Sequence, residues 1–296
     1  MTIATVGWIG AGVMGRPMAE HLLRAGFQVV LLERASSGVA ALVESGAQTA
    51  PNARAVAERA DVVFTMLPET DTVEHIVLGA YGVRAGLRPG TLFVDMSSIA
   101  PATSRRIARE LAAGGVDAVD APVSGGEQGA REATLSIMAG GTPAAFERAE
   151  PLLRCLGSLV VHVGEAGAGQ VAKACNQIAV AITIEAAAEA LALAEAAGVD
   201  AAKVRMALGG GLAASRVLER YGPRMIEGRY EPGARARLHL KDLAIATALA
   251  SDAGVELPAL RLMLQRFTEL VERDGDLDHS ALRTLIAPSA STRSTD

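Results

Sequence analysis

A short apolar run, Ile3 to Ile9, ends in the turn Gly10-Ala11-Gly12-Val13-Met14-Gly15, and a helical pattern from Arg16 to Ala25, closed by Gly26, follows at once. A second apolar run, Phe27 to Leu32, ends at Glu33, 18 residues past Gly15. A bare GxGxxG is weak evidence. Here the glycines leave a predicted strand, open a predicted helix and precede an acid at the spacing of a dinucleotide fingerprint. The three glycines differ in what they do physically. Gly10 makes the tight turn, Gly12 lets the backbone approach a pyrophosphate, and Gly15 lets the helix lie close on the strand. Phosphate charge would then meet the helix N-terminus. The competing reading is a Gly-rich turn that is only a turn.

Glu33 can accept the ribose 2′-hydroxyl, which favours NAD, whereas Arg34, Ser36 and Ser37 could hold the 2′-phosphate of NADP. The cofactor stays open between the two. An inward Glu33 would repel a phosphate, so the balance tilts to NAD.

Strands and helices go on alternating, as expected for an α/β fold with a Rossmann-type, doubly wound parallel sheet. Asp61 to Leu67 is an apolar strand ending at Pro68, Thr91 to Met96 ends at Ser97 and Ser98, and Val116 to Val119 leads into DAPVSGG. All these turns follow strand C-terminal ends, the edge where such sheets bind ligands, so Leu67, Pro68 and Ser98 are expected to face the cofactor. For Pro68 a plain loop role is equally open. Ser124, Gly125 and Gly126 offer a hydroxyl and backbone N–H groups unobstructed by side chains, a nest suited to a small carboxylate, or else a simple hairpin. A strand at Thr134–Met138, a helix at Pro143–Leu156 and a strand at Leu159–Val163 complete this half.

The pattern changes near Gly164. Eight of the twelve prolines lie by position 151 and none between Leu152 and Gly222. This divides the chain into a dinucleotide-binding domain, residues 1–163, and an all-helical domain for substrate binding and oligomerisation, residues 164–296. From about Gly169 a stretch without Pro or Gly and rich in Ala, Leu and Glu predicts a helix of about 28 residues, roughly 40 Å long. Lys173, Asn176 and Gln177 fall at i, i+3 and i+4, on one face of its first turns. Further helices are expected at Ala201–Leu208, Ala214–Ile226, Leu240–Ala253, Pro258–Arg273 and Ser280–Ile286, with Lys241 and Asp242 opening the third and a frayed tail from Ala287.

Of 28 basic residues only Lys173, Lys203 and Lys241 are lysines. Arginine cannot exchange a proton near neutral pH and a desolvated lysine can, which singles out Lys173, whereas Lys203 sits in an ordinary amphipathic stretch. Among the five histidines only His239, two before Lys241, attracts notice; His162 reads as core or strand edge, and His21, His75 and His279 as surface. Half the residues are hydrophobic but only 3% aromatic, so the core must be built of Ala, Val, Leu and Ile. The net charge of −5 and pI near 5.6 carry no basic excess, and nucleic acid is not an expected partner. No N-terminal export signal and no uncharged span of 18 apolar residues are evident, so a soluble cytoplasmic protein without a membrane partner is expected. Cys155 and Cys175 have no metal-ligand spacing, read as small core residues in a reducing compartment, and no metal is expected.

The motifs GWIGAGVMGRPMA, MLP at Met66–Pro68, DMSSIAP at Asp95–Pro101, DAPVSGG at Asp120–Gly126, GAGQVAKACNQ at Gly167–Gln177 and KDL at Lys241–Leu243 occur in order over nearly the whole chain. Together they resemble the β-hydroxyacid dehydrogenases. The second half, through CNQIAVAITIEAAAEAL, ASRVLERYGPRMI, YEPG, LHLKDL and LDHSAL, is most similar to the branch of that family that reduces 2-hydroxy-3-oxopropionate (tartronate semialdehyde). The resemblance implies that Lys173 is catalytic, that Asn176 assists at the reacting oxygen, that Ser124, Gly125 and Gly126 hold the substrate carboxylate beside Lys173, Asn176 and Gln177, and that Lys241 closes over the cofactor. Three positions depart from the family pattern: Ser98 where Thr is usual, Gln177 for a second Asn, and Ala133 for Gly. The expected reaction is hydride transfer between NAD or NADP and a small β-hydroxy or β-oxo acid, foremost reduction of tartronate semialdehyde to glycerate, with 3-hydroxyisobutyrate oxidation as the alternative. A nucleotide-binding module without chemistry is the reading from another class. The apolar helical half suggests a homodimer or homotetramer.

Overall fold

The computed structural model describes residues 3–286; the expected frayed tail from Ala287 lies outside them. The chain divides into two compact units, residues 1–173 and 174–296.

The first unit runs β1 (Thr5–Ile9), α1 (Gly15–Arg24), β2 (Gln28–Leu32), α2 (Ser37–Glu44), β3 (Gln48–Ala50), α3 (Ala53–Glu58), β4 (Val62–Thr65), α4 (Thr70–Leu78), β5 (Leu92–Asp95), α5 (Pro101–Ala112), β6 (Asp117–Asp120), β7 (Val123–Ser124), α6 (Gly126–Glu132), β8 (Ser136–Gly140), α7 (Pro143–Leu153) and β9 (Leu159–Gly164). Its strands lie in the order β3-β2-β1-β4-β5-β6-β8-β7, with β9 against β8. The first six are parallel. Strand order reverses at β1, which opens a crevice above the C-terminal ends of β1 and β4.

The central strands are apolar throughout because both faces of the sheet are covered. Successive residues point to opposite sides: Trp8 and Phe64 enter one core cluster with Met18 and Leu22, while Ile9 and Val63 enter the other with Val56, Val73 and Phe93. Trp8 and Phe64 stack at 5.3 Å. Beyond β6 the expected all-parallel sheet becomes mixed. Only Ala121 and Pro122 separate β6 from β7, so the chain stays at the same sheet edge and β8 runs antiparallel to both.

Helix α8 spans Ala168–Ala196, 29 residues, close to the sequence expectation, and continues across the division between the units. By length and composition it could cross a membrane. Its polar groups are nonetheless engaged by protein: Gln170 and Lys173 in the first unit, Gln177 and Glu185 in the second.

The second unit adds α9 (Ala201–Gly209), α10 (Arg216–Glu227), α11 (Ala236–Asp252), α12 (Pro258–Asp274) and a 3-10 segment, His279–Leu285. Asp200 and Ser215 cap α9 and α10 with their side chains. The core gathers Ala181, Ile184 and Leu191 of α8 with Leu243, Phe267 and Leu270. Helix α11 begins four residues before the expected Leu240. Ala236, Arg237 and Leu238 are good helix formers, and the bond from Ala236 N to Leu277 O satisfies one N–H of its first turn.

Candidate active site

The glycine turn behaves as the fingerprint requires. Gly10 has φ +113°, and a Cβ at Gly15 would stand 1.8 Å from the carbonyl oxygen of Gly10. Nothing lies within 4 Å of the position a Cβ would take on Gly12, so the backbone there is open to a ligand. Val13, an apolar side chain, is 59% exposed at the same turn, and Met14 is half-buried beside it, as is Ala11. An open backbone approach at a helix N-terminus fits a pyrophosphate.

Glu33 and Arg34 follow β2 immediately, and both are exposed. Ser36 caps α2, its Oγ accepting from Val39 N, so the hydroxyl offered to a 2′-phosphate already holds a helix end.

Past β4 and β5, Leu67 is half-buried and Pro68 exposed. The Leu67 amide donates to Ser97 Oγ at 2.9 Å, which fixes the loop after β4 to that after β5. Ser98, half-buried, follows Ser97, the buried member of the pair. Asp95 organises this corner: its Oδ1 accepts from Thr65 Oγ1 at 2.7 Å and from Ser97 N at 3.1 Å, while Oδ2 has no hydrogen-bond partner among the described residues. A cavity of about 10 Å³ beside it, lined by Asp95, Asp120, Ser104 and Ala166 among others, has room for about one water.

Burial pushes the Asp95 carboxyl up from 3.8 to about 6, the Ser97 and Thr65 bonds opposing it and Asp120 adding repulsion. The raised value means that the folded state holds a proton which the unfolded chain gives up first. This contribution is therefore intact below pH 3.8 and is lost as pH rises to about 6. Asp95→Asn keeps the Oδ1 acceptor and cannot ionise. We expect it to be more stable than the wild type above pH 6, by up to about 3 kcal/mol, and level with it at pH below 3.8, as read from urea midpoints at both ends. A difference that does not change with pH would exclude a buried titrating carboxyl.

Asp120, at the end of β6, ties the start of α8 to the sheet. Its carboxylate accepts from Gly167 N at 2.6 Å and Gln170 N at 2.9 Å, with Gly169 N adding a third bond. Burial raises its pKa against those bonds. Gln170 completes the lock, accepting from Ile99 N at 3.0 Å and donating to Ser97 O at 2.8 Å. One turn on, half-buried Lys173 donates from Nζ to Val123 O at 2.8 Å, the residue just before Ser124.

The Ser124-Gly125-Gly126 turn is no hairpin. Gly125 (φ +139°) and Gly126 (φ +62°) open α6, and β7 pairs with β8 only after that helix. Side chains disfavour two successive positive φ values, which is why glycine occupies both positions of this turn. Helix α6 ends at Ala133, φ +54°, a left-handed position that suits the Gly usual there better than Ala. The first unit thus places the glycine turn, Leu67, Pro68, Ser98, Ser124–Gly126 and Lys173 along one sheet edge.

In the second unit, Asn176, Gln177 and Lys241 join a chain of polar contacts. Asn176 Nδ2 donates to Gln177 Oε1 at 2.9 Å, Gln177 Nε2 donates to Asp242 Oδ2 at 2.7 Å, and Lys241 Nζ lies 3.1 Å from Asp242 Oδ1. A carboxylate only accepts, so Asp242 orients the Gln177 amide, and that amide orients Asn176. Asp242 is therefore more than a first-turn acid: α11 opens six residues earlier, and Asp242 is buried. His279, expected at the surface, is buried against His239, whereas Cys175, expected in the core, is exposed.

Asp95, Asp120, Gln170 and Asp242 were not singled out by spacing. The signal available was an acid closing an otherwise apolar strand, which for Asp95 and Asp120 is out of keeping with a core unless it is bonded. Among the described residues no cluster of His, Cys, Asp and Glu could hold a metal.

Residues 5–164 match the model of the NAD binding domain of 6-phosphogluconate dehydrogenase, and residues 167–286 that of the NAD-binding domain of NADP-dependent 3-hydroxyisobutyrate dehydrogenase. A 2-hydroxy-3-oxopropionate reductase of Escherichia coli is 46% identical over 94% of this chain and 95% of its own. This protein belongs to the β-hydroxyacid dehydrogenase family. An NAD-dependent L-serine dehydrogenase of Pseudomonas aeruginosa is 36% identical over 96% of this chain and 98% of its own. The structure of Mycobacterium tuberculosis 3-hydroxyisobutyrate dehydrogenase with L-serine superposes with a TM-score of 0.88 at 32% identity, over 97% of this chain and all of that one. As a β-hydroxyacid dehydrogenase the chain is an enzyme that uses NAD or NADP, and the reading as a binding module without chemistry falls. The named relatives act on different acids, so membership fixes the class of reaction and leaves the acid open.

Proposed function

We propose that this dehydrogenase reduces tartronate semialdehyde to glycerate, with Lys173 as the proton donor. The observation that carries the chemistry is the Lys173 Nζ bond to Val123 O, which holds the ammonium beside the Ser124-Gly125-Gly126 turn. The 46% identity with the 2-hydroxy-3-oxopropionate reductase supports the choice of acid. When bound, the reduced nicotinamide supplies the hydride. The turn at Ser124–Gly126 holds the substrate carboxylate with its N–H groups and hydroxyl. Lys173 meets the negative charge growing on the aldehyde oxygen and gives it a proton; in the oxidative direction the neutral amine takes it back. Asn176 donates to the same oxygen from an amide whose direction Asp242 and Gln177 set. Gly10–Gly15 hold the pyrophosphate, Leu67, Pro68 and Ser98 line the nicotinamide side, and Lys241 closes over the dinucleotide. Glu33 favours NAD by accepting the ribose hydroxyl.

The second reading, 3-hydroxyisobutyrate oxidation, has support in the matching family model and solved relative. That substrate carries a methyl where the semialdehyde carries a hydroxyl. A site that hydrogen-bonds the hydroxyl rejects the methyl analogue strongly, by 10⁴-fold or more in favourable cases and here by at least about 100-fold in kcat/KM. A panel of both substrates with NADH, NADPH and their oxidised forms tests this. Comparable kcat/KM on 3-hydroxyisobutyrate would overturn the choice of acid, and a preference for NADPH would overturn the role of Glu33. Exposed Leu193, Met206 and Leu212 in the second unit support association into a homodimer or homotetramer, and the small-carboxylate substrate suits a cytoplasmic enzyme without nucleic-acid or membrane partners.

A further inference from the structure

Two histidines 40 residues apart meet in the core of the second unit, His239 being 3% and His279 5% exposed. Their Nδ1 atoms lie 3.0 Å apart, and His239 Nε2 lies 3.1 Å from the backbone oxygen of Gln177. A carbonyl oxygen can only accept, so His239 carries its proton on Nε2. A neutral imidazole has one N–H, so His239 Nδ1 is an acceptor and His279 must donate from Nδ1. His279 Nε2 is then a bare lone pair, and it is a buried atom without a hydrogen-bond partner among the described residues. A lone pair is tolerated there better than an orphaned N–H would be.

The surroundings oppose a charge on His279. Phe267 packs on His239 and the edge of Tyr221 on His279, each at 4.6 Å. Arg220 lies over the Tyr221 ring, and Arg224 pairs with Asp278, whose carboxylate also accepts from Ala234 N, Ser280 N and Ser280 Oγ. Asp278, the acid beside His279, is thus saturated, while two guanidinium groups oppose a positive charge on that ring. Burial, then the neighbouring His239, lower His279 to about 3.

We propose that His239 and His279 are positioning residues whose fixed tautomers clamp Gln177 and through it aim Asn176. His239 grips the backbone of Gln177, and Asp242, three residues on along α11, grips its side chain at 2.7 Å. Two points on one residue set both its place and the direction of its amide, and Asn176 takes its orientation from that amide. The kinetic part of this inference rests on the reading that Asn176 meets the reacting oxygen; the tautomer part does not.

Two measurements test it. In wild-type protein with ring-¹⁵N histidine, NMR is expected to show one ring protonated at Nδ1 alone, unchanged between about pH 5 and 8 and lost in His279→Asn, and a second protonated at Nε2. The His279 ring titrating in that range, or both rings carrying the proton on Nε2 alone, overturns the proposal whatever the variants do. In kinetics, His279→Asn keeps a donor near the Nδ1 position and is expected to hold kcat/KM within about twofold. His279→Phe keeps the ring packing without the donor and is expected to lose about tenfold in kcat/KM at unchanged cofactor affinity, the size of one lost hydrogen bond. If the tautomers are as assigned and His279→Phe folds with wild-type kcat/KM, the clamp does not serve the reaction and the positioning role falls. If instead Lys173→Ala retains turnover, the reading of the site fails and the tautomer pair stands.

Discussion

Lys173→Ala is expected to lower kcat by about a thousandfold, within the range for loss of a general acid, with the dissociation constant of the dinucleotide nearly unchanged. The asymmetry follows from geometry. Nζ is held by Val123 O at 2.8 Å on the substrate-turn side of the first unit, while the pyrophosphate turn depends on Gly10, Gly12 and Gly15, which the substitution leaves alone. An ammonium has three donors, so it can keep the Val123 bond and still serve the reacting oxygen. Lys173→Arg separates charge from proton exchange. A guanidinium retains the positive charge but does not release its proton near neutral pH, so the oxidative direction is expected to fall as far as in the Ala variant. Titration of the protein with NADH, followed by fluorescence, measures binding, and single-turnover absorbance measures chemistry. An Arg variant oxidising substrate at a near wild-type rate would end the proton-transfer role, leaving Lys173 only an electrostatic one.

How far this could be read from the chain depends on where the information lies. The parallel core and the glycine turn were legible because they are local: an apolar strand, a turn that only glycine can make and an amphipathic helix each leave a periodic trace. The length of α8 was legible for the same reason, since nothing between Gly169 and Ala196 breaks a helix. The reversal of β8 was not, because strand direction at the sheet edge is decided by the two-residue link Ala121-Pro122 and by pairing rather than by periodicity. Asp242 and His279 show the other limit. Asp242 read as an acid opening a helix and His279 as a surface residue, and each is buried where a partner distant in sequence, Gln177 or His239, shares its hydrogen bond. Spacing could not reveal contacts 40 and 65 residues apart. Lys173, by contrast, stood out through composition, in a chain that otherwise uses arginine for nearly every positive charge.

Asp120→Ala should be the most destabilising single change in the first unit outside its apolar core, costing about 3–6 kcal/mol. The start of any helix leaves N–H groups that no preceding turn can satisfy, and here a carboxylate from β6, 47 residues before Gly167, satisfies those of Gly167, Gly169 and Gln170 together. Bonds to a charged acceptor are the stronger kind, and the site is 4% exposed, so water cannot readily replace the lost oxygens. Against a total stability of about 5–15 kcal/mol that loss is large. Activity should fall with it, because Lys173 lies one turn past Gln170 on the segment that would fray. Asn is no remedy: its amide nitrogen would face a backbone N–H, donor against donor, so Asp120→Asn should recover only part of the deficit. Urea unfolding gives the global number, and hydrogen exchange at residues 167–173 gives the local one. Exchange there should quicken even where the rest of the sheet stays protected. Wild-type protection of those amides in Asp120→Ala would mean that the helix start is held by something other than this carboxylate.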